Sequence, residues 1–194
     1  MSRFDDAIAA LDALHAEDPR SLEVDGVSVP AELHYASRMS AALRHVIDDP
    51  TEALELAIRA QHLQRWKIPR DRFPRTTPGY HAWRNAQKRA HAELARGTLE
   101  RAGYDEPTLE RVASLVAKKN LVTDPEAQAL EDAACLVFLE LDLASFAAQR
   151  DEHELLTILG KTWKKMSERA RARALVAPFD PPTRALLRRA LEGA

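Results

Sequence analysis

The sequence has little cysteine and no long apolar run, and both absences narrow the class of protein. Its one cysteine, Cys135, excludes an internal disulfide framework and is typical of a reducing compartment. The longest apolar run, from Ala133 to Leu139, has seven residues, far short of the roughly 20 that cross a bilayer. No basic segment followed by an apolar one opens the chain, so we expect a cytoplasmic protein with no membrane partner.

Glycine is also scarce, and β-branched residues are rare outside residues 24–29, whereas Ala, Leu, Glu and Arg are frequent. This composition predicts an all-α fold. A turn signal at Asp25-Gly26 predicts a hairpin or an extended loop within 20–30, and three prolines predict a loop at 67–78. We expect one helical domain over 1–194 with a C-terminal helical extension at 151–194, although a second domain from about residue 150 stays open. Caps and prolines place helices at about 2–15, 31–47, 51–66, 79–102, 107–119, 125–149, 151–174 and 181–192.

Four side chains that can bind a metal ion fall on four different predicted helices, each in or beside an apolar stretch: His34, His62, His91 and Asp132. Because an unpaired buried charge is costly, such groups need partners. A lone histidine on a helix is more often a satisfied core or surface group, but the series favours a metal or acid–base pocket. For Asp132 alone, pairing with an arginine from a neighbouring helix is an equal alternative.

Positive charge is concentrated between Gln64 and Arg89, where eight basic residues face one acidic residue, a local net charge of about +7 in a chain of net charge −2. Such a block suits a phosphate or carboxylate ligand, because arginine forks match those anions. A basic surface without a ligand is nearly as good an interpretation. The tail at 161–189 is also basic, but it lacks interleaved aromatic residues apart from Trp163 and Phe179, which argues against a nucleic-acid partner.

Several segments resemble domain-of-unknown-function family 4202. They are Arg59 to Arg70, Lys118 to Leu121, Leu130 to Glu140 and Gly160 to Trp163, so the resemblance covers nearly the whole chain. It implies no established activity.

The order of the candidate ligands also resembles the HD-domain superfamily of helical metal-dependent phosphohydrolases. Their pattern is a His, then an adjacent His-Asp pair, then a distant Asp. The resemblance implies an HD-domain-like bundle in which His34, His62 and Asp132 hold a divalent ion, with His91 as a further ligand or proton carrier. The paired position reads Gln61-His62 here, so the usual bridging carboxylate is missing, and metal binding is either mononuclear or lost.

We therefore expect a divalent-metal-dependent hydrolase of a small phosphorylated metabolite or nucleotide, with Zn, Mn, Fe, Co or Ni as the ion. The metal would activate a water molecule, and Glu131 or Glu140 would serve as general base. The alternative is a non-catalytic anion- or nucleotide-binding regulatory module. The sequence leaves the oligomeric state open. The side chains expected to bind the substrate are Arg38, Gln61, Arg65, Trp66, Arg84, Lys88, Lys119 and Asn120.

Overall fold

Ten helices and one two-stranded hairpin make up the part of the chain that the computed structural model describes, namely residues 2–121, 123–148 and 150–192. The all-α prediction is confirmed. None of the described helices is both long and apolar enough to cross a membrane. The elements are α1 (Arg3–Ala16), β1 (Ser21–Val24), β2 (Val27–Pro30), α2 (Ala31–Val46), α3 (Glu52–Arg59), α4 (Thr77–Arg101), α5 (Glu106–Val116), α6 (Pro125–Val137), α7 (Leu143–Ala147), α8 (Glu152–Lys165), α9 (Glu168–Val176) and α10 (Pro181–Glu192).

Side-chain caps fix where the helices begin. Ser2 and Asp5 form a reciprocal capping box at the start of α1, and Thr51 caps α3 by accepting the backbone N–H of Leu54. Asp105 and Asp124 cap α5 and α6 in the same way, each followed by a proline in the first turn. Because these caps satisfy backbone donors that the first helical turn leaves unpaired, the predicted helix starts are within one or two residues of the observed ones.

Helix α6 lies at the centre of the core and packs against α2, α3, α5, α8 and α9. Its residues Leu130, Ala133, Leu136 and Val137 are fully buried or nearly so. Contact with partners on several sides explains why this helix is apolar around almost its whole circumference. Any polar side chain on it must therefore find its partner inside the protein.

The Asp25-Gly26 turn joins β1 and β2 into an antiparallel hairpin with Leu22 opposite Val29. Both turn residues have positive φ, 50° at Asp25 and 78° at Gly26, as the tight turns of two-residue hairpins require. Of the two forms that the sequence left open for residues 20–30, the hairpin is the observed one.

Several predicted helices end or break earlier than expected, among them the one predicted at 107–119, which stops at Val116. Helix α3 stops at Arg59 because the chain turns into the left-handed region at His62. The predicted helix at 125–149 is interrupted by a π-helical turn, Phe138–Asp142, and the one at 151–174 breaks where Ser167 caps α9. Gln149 and residues 193–194, which belong to predicted segments, lie outside the described residues, as do Met1 and Val122.

Candidate anion-binding site

A small cleft opens where the chain leaves α3 and meets the first half of α4 and the end of α5. Its cavity volume is about 60 Å³. We call it the basic cleft, because four of its side chains are cations. Its lining residues are Gln61, His62, Arg65, Trp83, Arg84, Gln87, Lys88, His91, Val116 and Lys118.

The backbone on two sides of the cleft is held in a conformation that non-glycine residues rarely adopt. His62 and Gln64 have φ values of 64° and 50°, and Lys118 and Asn120 have 54° and 56°. A left-handed residue other than glycine costs on the order of 1 kcal/mol, and such residues cluster at functional sites. At the end of α3, this geometry turns the His62 ring out of the helical path and towards the cleft.

The loop that follows α3 is tied down to α4 by side chains that donate to its carbonyl groups. Gln87 Nε2 donates to the carbonyl oxygens of Arg65 and Ile68, both at 2.9 Å, and Trp83 Nε1 donates to the Ile68 carbonyl oxygen at 2.9 Å. These bonds hold Arg65 at the mouth of the cleft, even though its segment is only a short 3₁₀ turn.

His62 is held between three side chains. Its ring stacks on Tyr35, with centroids 4.3 Å apart and planes 10° from parallel. Its Nδ1 lies 3.5 Å from Glu32 Oε2, and its Nε2 lies 3.1 Å from Arg65 Nη1. Burial, and then the charge of Arg65, lower the pKa of His62 well below its usual value, so the ring is neutral near pH 7. Since Arg65 can only donate, Nε2 is the acceptor and the proton resides on Nδ1, facing Glu32.

His91 lies deeper, with 5% of the residue exposed, and its ring centroid is 6.0 Å from that of His62. Burial, followed by the neighbouring His62, lowers the pKa of His91 to about 3. Among the described residues, neither its Nε2 nor Oε1 of the adjacent Gln87 has a hydrogen-bond partner. Because buried polar atoms in native proteins are nearly always partnered, these two atoms indicate that a ligand or water belongs here.

Three of the four cations of the cleft have no acidic partner. Among the described side chains, no carboxylate oxygen lies within 4.0 Å of the charged nitrogens of Arg65, Arg84 or Lys88. The fourth cation, Lys118, binds Glu131 at 2.6 Å. Burial, and then the positive charges of Arg84 and Lys118, lower the pKa of Lys88. The cleft therefore concentrates positive charge that the described part of the protein does not neutralise.

The two carboxylates predicted as general bases are engaged elsewhere. Glu131 pairs with Lys118 and lies 3.8 Å from Lys165, and although burial opposes ionisation, these charges hold its pKa below the usual value. Glu140, on the π-helical turn, pairs with Arg38 in a separate cleft beside α9 and α10. Neither is among the residues that line the basic cleft.

The four predicted metal ligands are only partly brought together. His62 and His91 meet at the cleft, but His34 lies two residues from Glu32, about 200° around α2, and does not line it. Asp132, 2% exposed, accepts hydrogen bonds at Oδ1 from Gln128 Nε2 at 2.9 Å and from the Ser167 backbone at 2.8 Å. Within 2–121, 123–148 and 150–192, no three His, Cys, Asp or Glu side chains form a group that could hold a metal ion. The donors present therefore do not fit a shared metal ion.

The predicted substrate-binding residues divide into two groups. Gln61, Arg65, Arg84 and Lys88 line the cleft, where the amide of Gln61 also donates to the Ala57 carbonyl oxygen at 3.3 Å. The others do not line it: Arg38 pairs with Glu140, Trp66 lies in the 3₁₀ turn, and Lys119 and Asn120 are exposed.

Sequence reasoning missed the roles of Glu32, Tyr35, Gln87 and Lys118. Glu32 and Tyr35 are three positions apart on α2 and therefore share one face, which is the signal that could have found them. Lys118 follows the end of α5, where the helix dipole favours a cation whether or not it has a ligand. Its left-handed backbone and its contact with the buried Glu131 cannot be seen in the sequence alone.

We predict that Asp132 supports the fold and not ligand binding. In Asp132→Ala, the Ser167 backbone N–H and the Gln128 amide lose their acceptor, so the free energy of unfolding should fall by about 1–3 kcal/mol in chemical denaturation. Asp132→Asn keeps an acceptor oxygen and should lose less. If Asp132→Ala kept its stability but lost anion binding, Asp132 would belong to the site after all.

Comparison with protein-family models finds a match over most of the chain. A family model described as "Domain of unknown function (DUF4202)" matches residues 5–187. No curated protein and no solved structure matches the chain. The match spans the helices that form the basic cleft and names no activity for them.

Proposed function

The chain belongs to the DUF4202 family, and on that premise we propose that its basic cleft binds a small phosphorylated or otherwise anionic molecule. The observation that carries the proposal is the convergence of Arg65, Arg84 and Lys88 without a carboxylate within 4.0 Å among the described side chains. Arginines elsewhere in the chain, such as Arg59 with Asp12 and Arg111 with Asp124, do have acidic partners. An anion supplied from outside would neutralise the cleft.

The chemistry of the lining suits an oxyanion. Arginine presents a planar fork that can donate two parallel hydrogen bonds to a phosphate or carboxylate, and lysine adds a compact charge. Each hydrogen bond to a charged group contributes about 1.5–3 kcal/mol. The unpartnered Nε2 of His91 can donate to the same anion if its tautomer places the proton there.

The two histidines of the basic cleft contribute no positive charge to it. His62 and His91 are both uncharged near pH 7, so the attraction for an anion comes from Arg65, Arg84 and Lys88. Arg65 now donates to His62 Nε2, and it would have to share or change that bond when a ligand arrives. The site is thus prepared for a ligand that offers stronger acceptors than an imidazole nitrogen.

The test is a calorimetric titration with inorganic phosphate at low ionic strength. We expect Arg84→Gln/Lys88→Gln to weaken binding at least tenfold, because it removes two charged donors that reach the cleft. Arg101→Gln is the matched control, since Arg101 is exposed on the same helix α4, outside the cleft. Phosphate binding that survives in the double variant, or that falls as much in the control, would contradict the proposal.

A metal-dependent hydrolase on an HD-like bundle is the second candidate. The observation in its favour is the pair of neutral imidazoles, His62 and His91, with ring centroids 6.0 Å apart in the cleft. Against it stands the lack of a third nearby donor among the described residues. This candidate requires zinc or manganese to bind with a 1:1 stoichiometry, and phosphatase turnover to disappear with the metal in His91→Ala. Phosphate binding that is identical with and without a chelator favours the metal-free site.

A further inference from the structure

A row of aromatic and arginine side chains leads outwards from the basic cleft. The Arg65 guanidinium lies 4.9 Å from the ring centroid of Trp83, and the rings of Trp83 and Tyr80 are 5.9 Å apart. The guanidinium groups of Arg70 and Arg84 lie 6.0 Å and 5.8 Å from the Tyr80 ring. We call these five side chains the arginine–aromatic face. Arg65, Trp83 and Arg84 also line the cleft, so the two features are continuous.

The outer end of this face is open to solvent. Tyr80 is 41% exposed, so part of its ring is accessible to a ligand. Trp83, in contrast, is fixed by its hydrogen bond to the Ile68 carbonyl oxygen. The two ring planes are tilted by 44°, so the stacking surface for a flat group is the exposed Tyr80 ring, beside the anchored Trp83.

The surrounding cations continue the charge of the cleft. Arg72, Arg75 and Arg89 are exposed, and no carboxylate among the described side chains lies within 4.0 Å of them. Within 65–89, only Lys67 has such a partner, Glu17 at 3.5 Å. The nearby acidic residue of the segment, Asp71, is also exposed and pairs with none of them. The surface therefore has the charge that a chain of several phosphates would complement.

We propose that the arginine–aromatic face binds single-stranded nucleic acid, with one backbone phosphate in the basic cleft and an unpaired base stacked on Tyr80. The phosphate part of this inference rests on the proposed function, and the stacking part does not. It revises the expectation drawn from the basic C-terminal tail, which has few aromatic residues. In the segment before α4 and in its first turns, the aromatics Trp66, Phe73, Tyr80 and Trp83 do alternate with cations.

The geometry favours a single strand over a duplex and over a lone phosphate. A duplex hides the faces of its bases, whereas an unpaired base leaves a face free to stack on an exposed tyrosine ring. A free phosphate could bind the cations of the cleft, but it would make no contact with Tyr80, Arg72 or Arg75 outside the cleft. Stacking on aromatic rings beside a positively charged path is the common mode of sequence-tolerant single-strand binding.

The experiment measures fluorescence anisotropy of a labelled oligouridylate of about 12 nucleotides, a length within the usual range of such sites. We expect Tyr80→Ala to weaken binding roughly tenfold, from the loss of one stacked base. Arg72→Gln/Arg75→Gln should weaken it and reduce the slope of log K against log salt by about 1.4, the value for two cations on a single strand. The charge-matched control is Arg184→Gln/Arg188→Gln, which changes two exposed arginines on α10. It should leave binding unchanged.

Two further ligands separate this inference from the proposed function. Heparin carries dense negative charge but no bases, so Tyr80→Ala should leave heparin binding unchanged. The inference is overturned if Tyr80→Ala leaves the affinity for the oligonucleotide unchanged, or if it lowers the affinities for the oligonucleotide and for heparin equally. It is also overturned if the α10 control abolishes binding of the oligonucleotide. If inorganic phosphate binds but the oligonucleotide does not, the inference fails while the proposed function stands. If neither binds, both fail.

Discussion

Replacing Lys118 by methionine should lower the free energy of unfolding by about 3 kcal/mol, because it strands a buried carboxylate. Lys118 and Glu131 lie 2.6 Å apart with only 15% and 9% of their side chains exposed. Methionine has a similar length, so the change removes the charge and not the volume. The remaining cation, Lys165, is 3.8 Å from Glu131 and 48% exposed, too distant and too hydrated to replace Lys118 fully. Denaturant titration with an unchanged m-value would measure the loss.

Two companion variants show whether the cost comes from the stranded charge. Lys118→Met/Glu131→Gln should recover much of the stability, because it removes the unpaired carboxylate together with the cation. Lys165→Met should cost less than about 1 kcal/mol, as half-exposed pairs usually do. If Lys165→Met proved as costly as Lys118→Met, the assignment of Lys118 as the main partner of Glu131 would be wrong.

Acidification from about pH 7 to about pH 5 should destabilise the protein by about 2 kcal/mol through His91 alone. The unfolded imidazole takes up a proton near its usual pKa of 6.5, whereas the folded one does so only near a pKa of about 3. Between these two pKa values the unfolded state binds more protons than the folded state. The contribution of the neutral His91 to the free energy of unfolding is therefore fully present above about pH 6.5 and is lost as the pH falls. Burial lowers the pKa of His15 as well, and its contribution has the same sign.

Matched histidine variants isolate this effect. The glutamine of His91→Gln cannot take up a proton. Between pH 7 and pH 5 this variant should therefore lose about 2 kcal/mol less of its free energy of unfolding than the wild type does. His81→Gln, the same substitution at an exposed position on the same helix, is the matched control for the change of side chain, and it should alter the stability at pH 7 by less than about 0.5 kcal/mol. Glu32 works in the opposite direction, because burial raises the pKa of its carboxyl group and acid relieves that cost. Equal pH dependence in wild type and His91→Gln would contradict a buried neutral His91.

The helices were predictable because their signals are local. Ser2, Thr51, Asp105 and Asp124 cap backbone donors within three residues of themselves, so the sequence alone shows where each helix begins. The buried character of α6 was equally visible in its continuous apolar composition. The ends of the helices were harder to predict. The left-handed turn at His62, for example, contains no glycine or proline that would signal it in the sequence.

The positive charge of the site could be predicted from the sequence, but the contacts between its side chains could not. Spacing and composition indicated the basic block at 64–89 and the two histidines His62 and His91. Both histidines line the cleft, and so do three cations of the block, Arg65, Arg84 and Lys88. Which helix face meets which neighbour depends on the crossing of helices far apart in sequence. For this reason Glu32 occupies the place expected for His34, and Asp132 turns to Ser167 of α9 instead of towards the histidines.

The central claim is that Arg65, Arg84 and Lys88 hold an oxyanion in a cleft that needs no metal. The most direct measurement is an anomalous-difference map from crystals grown with tungstate, a heavy tetrahedral oxyanion. We predict a peak within hydrogen-bond distance of these three side chains. A cleft without that peak, or a transition-metal peak between His62 and His91 in crystals grown without tungstate, would contradict it.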